Sequence, residues 1–171
     1  AQLAPPDSAC EHNAQMSAPV LRRLGIRVEG AVQGVGFRPF VYRLARELSV
    51  AGEVRNTPNG AEIEVEGPAL AVDEFTGRLT LEKPPACILM HVEIRELEPR
   101  QESMGAFSIA PSTASSFKSA VLLPDLATCP ECLAEIQDPH ARRHGYPFTN
   151  CTNCGPRFTI LENIPYDRPH T

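Results

Sequence analysis

Past residue 20 the chain switches repeatedly between strand-like and helix-like spacing of its apolar positions. Leu24-Gly25-Ile26-Arg27-Val28-Glu29-Gly30 alternates apolar with polar or small residues, which suits a strand with one buried face. A glycine-rich turn follows. Phe40, Val41, Leu44, Ala45 and Leu48 then share one stripe, so Pro39 to Leu48 reads as an amphipathic helix with proline near its start. Alternation returns in Gly52-Glu53-Val54-Arg55-Asn56 and Ala61-Glu62-Ile63-Glu64-Val65-Glu66. Between them lies Thr57-Pro58-Asn59-Gly60, an Asn-Gly turn that makes the pair a hairpin. Its second strand sets Ile and Val against Glu, giving a core face and a wet face. Leu70, Val72, Phe75 and Leu79 recur at near-helical spacing over Ala69 to Leu81, where Gly77 is the weak point. Ile88 to Leu97 alternates again, and Ala106 to Ile109 is a short last strand.

The order βαββαβ predicts an α+β fold of the ferredoxin-like, split-βαβ kind, with two helices on one face of an antiparallel sheet. This domain spans residues 21–111. Residues 1–20, rich in Ala, Pro, Ser and Gln without periodicity, read as a disordered tail. A Ser/Thr/Ala linker occupies 112–121, and a small cysteine module takes up 122–171. No internal repeat is evident. The chain opens on Ala1 and closes on Asp167-Arg168-Pro169-His170-Thr171 without a cap or a finished strand, as a piece of something longer would.

Composition narrows the function classes. The 171 residues suffice for one ordinary domain plus an accessory module. A formal net charge of −5 argues against broad attraction to nucleic acid or to a membrane surface. No apolar run approaches the length of a bilayer-spanning helix, and no basic-then-apolar leader is present, so a cytoplasmic protein is expected.

Four of the six cysteines form Cys129-Pro130-Glu131-Cys132, eighteen residues, then Cys151-Thr152-Asn153-Cys154. Each CxxC lets a tight turn aim two thiolates at one point, and two such knuckles supply the ligands of a tetrahedral Zn²⁺ site. About thirty residues bury too little apolar surface to fold alone, so the metal is expected to be structural. A redox CxxC is the competing reading, weakened by the presence of two doublets. Cys87, inside an apolar run, reads as a core residue, and Cys10 falls in the tail. His140 and His144 read as surface histidines. Arg142, Arg143 and Arg157 invite a nucleic-acid reading, but no extended basic, aromatic-interleaved stripe supports them.

The turn Gln33-Gly34-Val35-Gly36-Phe37-Arg38 opens a helix. Two glycines let successive N–H groups converge at the positive end of that helix, which forms an anion cradle, and Arg38 adds a fork of donors suited to phosphate oxygens. A plain strand-to-helix turn with a solvated arginine is the alternative. Neither a P-loop Lys-Ser/Thr nor a GxGxxG is present.

Val32 to Arg38, followed by Gly52 to Gly60, resembles the paired motifs of the acylphosphatase family over residues 21–111. The resemblance implies that Arg38 and the amides of Gln33, Gly34, Val35, Gly36 and Phe37 bind phosphate, and that Asn56 orients the attacking water. It also marks a departure at Glu53, where small acylphosphatases prefer an aromatic residue beside the site. Acyl phosphates carry good leaving groups, so positioning and charge stabilisation suffice without a strong nucleophile. Cys151-Thr152-Asn153-Cys154-Gly155-Pro156-Arg157-Phe158-Thr159-Ile160, behind such a domain, resembles the HypF family of carbamoyltransferases that serve [NiFe]-hydrogenase maturation. That resemblance implies carbamoyl phosphate as substrate and a HypE-type maturation protein as partner of the full-length protein. It places ATP only in domains beyond this sequence. A catalytically silent binding module, with the finger as an interaction or nucleic-acid platform, is the rival reading.

Overall fold

The computed structural model describes residues 20–100, 105–113, 121, 127–155 and 162. The tail and most of the linker lie outside the described residues, as do Arg157 and Cys10. Strand β1 (Leu21–Ala31), helix α1 (Phe37–Glu47), β2 (Ala51–Thr57), β3 (Gly60–Pro68), α2 (Ala69–Leu81) and β4 (Ile88–Leu97) follow the expected order, and β5 (Ser108–Ile109) and α3 (Pro130–Gln137) come after them. The sheet runs β4-β1-β3-β2-β5. Its register stacks Ile26 beside Ile63 and Ile94, and Val54 beside Ile63, all antiparallel. β5 alone runs parallel, placing Ile109 beside Val54. The sheet is therefore mixed rather than wholly antiparallel.

Alternation decides which face is covered. Leu24, Ile26, Val28, Val54, Ile63 and Val65 point to one side and are buried. Against them pack Phe37, Phe40, Val41, Leu44 and Ala45 of α1, with Val72, Phe75 and Leu79 of α2. Phe107, just before β5, sets its ring 6.4 Å from that of Phe75, and Cys87 completes the core. The other face carries alternating charge: Arg27 lies 3.4 Å from Glu62 and 3.8 Å from Glu93, while Arg55 reaches Glu53 and Glu62. Such solvated pairs keep the face wet and contribute little stability each.

Three local expectations give way. Helix α1 starts at Phe37, two residues earlier than expected, so Pro39 occupies its third position. The first intrahelical bond runs from Phe40 N–H to the Gly36 carbonyl, 3.0 Å, so the missing proline N–H leaves nothing unpaired. The β2–β3 turn centres on Pro58 and Asn59, with Thr57 facing Gly60, and neither central residue has positive φ. Gly60 instead serves close packing, since a Cβ there would meet the Val28 carbonyl oxygen at 2.1 Å. Leu70 is 85% exposed rather than part of the α2 stripe, because it precedes Val72 by two residues and so lies on the far side of the helix.

Phe75→Ala should destabilise the chain by about 3–5 kcal/mol, since it opens a cavity facing Phe107. Leu70→Ala should stay within about 0.5 kcal/mol. Urea unfolding followed by far-UV circular dichroism measures both.

Candidate functional site

The β1–α1 loop is built around two residues with left-handed backbone, Gly34 at φ 73° and Gly36 at φ 78°. A side chain at either position would strain that conformation. Val35 and Phe37 are buried and pin the loop from below. Gln33 is buried as well, and its side-chain N–H₂ donates to the carbonyls of Thr57 (2.7 Å) and Gly60 (2.9 Å). Its carboxamide is thus turned into the hairpin. Gly36 is the N-cap of α1 and no side chain caps the helix, so first-turn amides are offered to whatever occupies the adjoining space.

Arg38 lies in the first turn of α1, with its Nη1 3.5 Å from the Ser112 hydroxyl. Next to Ser112, the Thr113 N–H donates to the Asn56 carbonyl at 3.0 Å. Arg38 and Asn56 therefore approach the same short stretch, and residues 110–113 continue the bonding along β2 begun by Ala110 N–H to Val54 O. The Asn56 side chain is fully buried on the helix-covered side of β2. Glu53, three residues away along β2, projects from the opposite, charged face beside Arg55, so it does not flank Asn56. Cys87 makes no nucleophile: burial pushes its thiol up to about 12, and its sulfur sits 3.9 Å from the Val35 carbonyl.

In the second module, Cys129, Cys132, Cys151 and Cys154 gather their sulfurs within 4.8 Å of one another. The separations are 3.6 Å for Cys129–Cys151, 4.0 Å for Cys132–Cys154 and 3.9 Å for Cys151–Cys154. Zinc–sulfur bonds of about 2.3 Å arranged as a tetrahedron have edges of roughly 3.8 Å, so the cluster fits that ion. Backbone N–H groups of Asn153 and Cys151 point at the sulfurs of Cys151 and Cys154, at 3.3 and 3.4 Å. The Asn153 side chain donates to Glu131 at 2.6 Å and ties one knuckle to the other. Arg143 bonds Glu135 of α3 through Nε at 2.7 Å and the Asn150 carbonyl at 2.7 Å. Arg143, one of the arginines that invited a nucleic-acid reading, is thus a structural residue that braces α3 against the second knuckle. His140 and His144 stay at the surface and outside the sulfur cluster.

The two halves meet at a cleft of about 280 Å³. Gly34, Gly36, Phe37 and Arg38 line one side, and Asn150, Cys151 and Thr152 line the other. Asn56 is not among its lining residues. The contribution of Asn150 and Thr152 had no signal in the sequence, since more than a hundred residues separate them from the loop.

Residues 24–109 match the acylphosphatase family model, and residues 128–161 match the HypF finger. The chain belongs to the acylphosphatase family. An acylphosphatase of Caldivirga maquilingensis is 40% identical over 89 residues, which are 51% of this chain and 92% of that protein. A carbamoyltransferase HypF of Synechocystis sp. is 47% identical over 152 residues, 89% of this chain and 19% of its own length. A crystal structure of full-length HypF in its phosphate- and nucleotide-bound form superposes with a TM-score of 0.80 at 39% identity, over 92% of this chain and 20% of that one. The chain spans about a fifth of the carbamoyltransferases it matches.

The thiol of Cys132 is raised by burial and by its neighbouring thiols, and that of Cys129 is raised too. Both enter metal binding as neutral S–H groups. Zinc loading should therefore release at least two protons per ion, and affinity should fall as pH falls. Calorimetric titration in buffers of different ionisation enthalpy counts those protons. Cys151→Ser should weaken zinc by more than the ~10–100-fold typical of changes outside the ligand shell.

Proposed function

We propose that this member of the acylphosphatase family binds carbamoyl phosphate, or another small acyl phosphate, and hydrolyses it to carbamate and phosphate. The observation that carries this reading is a left-handed glycine loop opening α1 beside Arg38, latched by Gln33 to the hairpin that bears Asn56. Loop amides and the Arg38 guanidinium would hold the phosphoryl oxygens and offset charge as the bond to the acyl oxygen stretches. The Asn56 carboxamide would steer a water in line with that bond. A P–O bond forms to water while the P–O bond to the acyl group breaks. The carbamate departs as an anion that needs no proton, and the proton of the water passes to phosphate or solvent.

Within a longer HypF-type protein, the carbamate would pass to an ATP-dependent step in domains beyond this sequence. It would then reach a cysteine of a HypE-type partner through carbamoyl adenylate. The four cysteines would hold a structural Zn²⁺, in keeping with a reducing cytoplasm. No helix among the described residues is long and apolar enough to cross a membrane. One observation favours the rival reading of a silent binding module: Asn56 is fully buried and does not line the cleft.

Phosphate release from carbamoyl phosphate, above its spontaneous breakdown, decides between them. Arg38→Ala should lower kcat/KM by about 10²–10³, on the scale of losing one transition-state donor. Asn56→Ala should lower kcat with little change in KM, and melting temperatures should show both variants folded. A wild-type chain with no release above background would leave the silent module standing.

A further inference from the structure

The finger touches the phosphate loop at two points. A Cβ placed on Gly36 would stand 3.1 Å from Thr152 Cβ and 3.6 Å from its hydroxyl, so Thr152 lies directly over the N-cap of α1. A Cβ placed on Gly155 would stand 3.1 Å from Val35 Cγ1. The second knuckle thus straddles the loop, and the cleft between them has Arg38 on one side and Asn150 and Thr152 on the other.

We propose that the knuckle from Asn150 to Gly155 is the acyl-side wall of the phosphate site, with Thr152 and Asn150 setting which acyl groups it admits. This rests on the hydrolase reading above. Phosphate oxygens go to the loop amides and Arg38, which leaves the acyl end facing the knuckle. Neither Asn150 nor Thr152 brings a charge of its own to that wall. A hydroxyl and a carboxamide both donate and accept hydrogen bonds, which suits the N–H₂ and C=O of a carbamoyl group better than a plain hydrocarbon acyl. A site built to pair such groups discriminates against an analogue lacking them, because its own polar groups are then left unpaired. Position is held by covalent adjacency: Thr152 follows Cys151, whose sulfur belongs to the four-sulfur cluster, and Arg143 anchors the Asn150 carbonyl at 2.7 Å.

The test compares kcat/KM for carbamoyl phosphate and for benzoyl phosphate in the zinc-loaded full chain. Thr152→Ala and Asn150→Ala are each expected to lower the carbamoyl-to-benzoyl ratio at least tenfold. KM for carbamoyl phosphate should rise, zinc content should stay at one per chain by elemental analysis, and Thr152→Ser should restore the ratio. Equal losses on both substrates, or unchanged ratios, in an active wild-type background overturn the wall and leave the hydrolase reading intact. A wild-type chain that hydrolyses neither substrate overturns both.

Discussion

A single buried carboxamide holds the site together. Gln33 spends both side-chain N–H donors on the Thr57 and Gly60 carbonyls, at the two ends of the β2–β3 turn. It is sealed from water, so removing it would strand those acceptors at a cost of about 1–3 kcal/mol each. The effect reaches beyond stability. The latch joins the β1–α1 loop with the hairpin that carries Asn56. Sheet and helix packing also bring those two segments together. Val35 and Phe37, buried beneath the same loop, supply the apolar half of that constraint. Gly34 and Gly36, interleaved with Gln33, Val35 and Phe37, take the left-handed conformations between these anchors.

The finger solves a different problem by different means. Among its described residues, only Cys132, Thr149, Cys154 and Gly155 are buried. Sulfur takes the place that leucine and phenylalanine hold in the sheet domain. Four sulfurs crowded within 4.8 Å have little attraction for one another, whereas four thiolates around a dication would be strongly held. Two links supplement that centre: Asn153 to Glu131 between the knuckles, and Arg143 spanning Glu135 and Asn150. Each fixes a backbone segment that the small apolar interior cannot fix.

Much of this was legible from the residues and some was not, for identifiable reasons. Helix α2 falls on Ala69–Leu81 as its spacing predicts, and the cysteine doublets converge as theirs predicts. The helix signal is carried by residues within a few turns of each other, and each CxxC is itself a local signal whose repetition points to a shared centre. The misplacement of Leu70 and of Glu53 was avoidable. A two-residue offset from Val72 in a helix, and a three-residue offset from Asn56 in a strand, each put a side chain on the opposite face. Other features were beyond reach. The Gln33 latch depends on the loop folding back over a hairpin some two dozen residues away. Arg143 reads as one half of a basic pair until Glu135 and the Asn150 carbonyl are seen around it. Nothing in the spacing of Asn150 and Thr152 distinguishes them from ordinary knuckle residues.

A knuckle anchored in the four-sulfur cluster suits one side of the cleft. Dispersion contacts such as those of Thr152 over Gly36 and Gly155 over Val35 decay within an ångström, so the wall is useful only if its position barely varies. A surface loop of this length, fixed by a few solvated hydrogen bonds, wanders further than that. Zinc would hold each sulfur at about 2.3 Å, and Thr152 is one residue from a sulfur of that cluster. On the facing side, Gly36 caps a helix that is itself packed on the sheet through Phe40, Val41 and Leu44. Both walls of the cleft therefore rest on stiff supports of unrelated origin, one an apolar core and the other a cluster of sulfurs. Their separation follows from how the two supports touch, at the glycines that permit the contact.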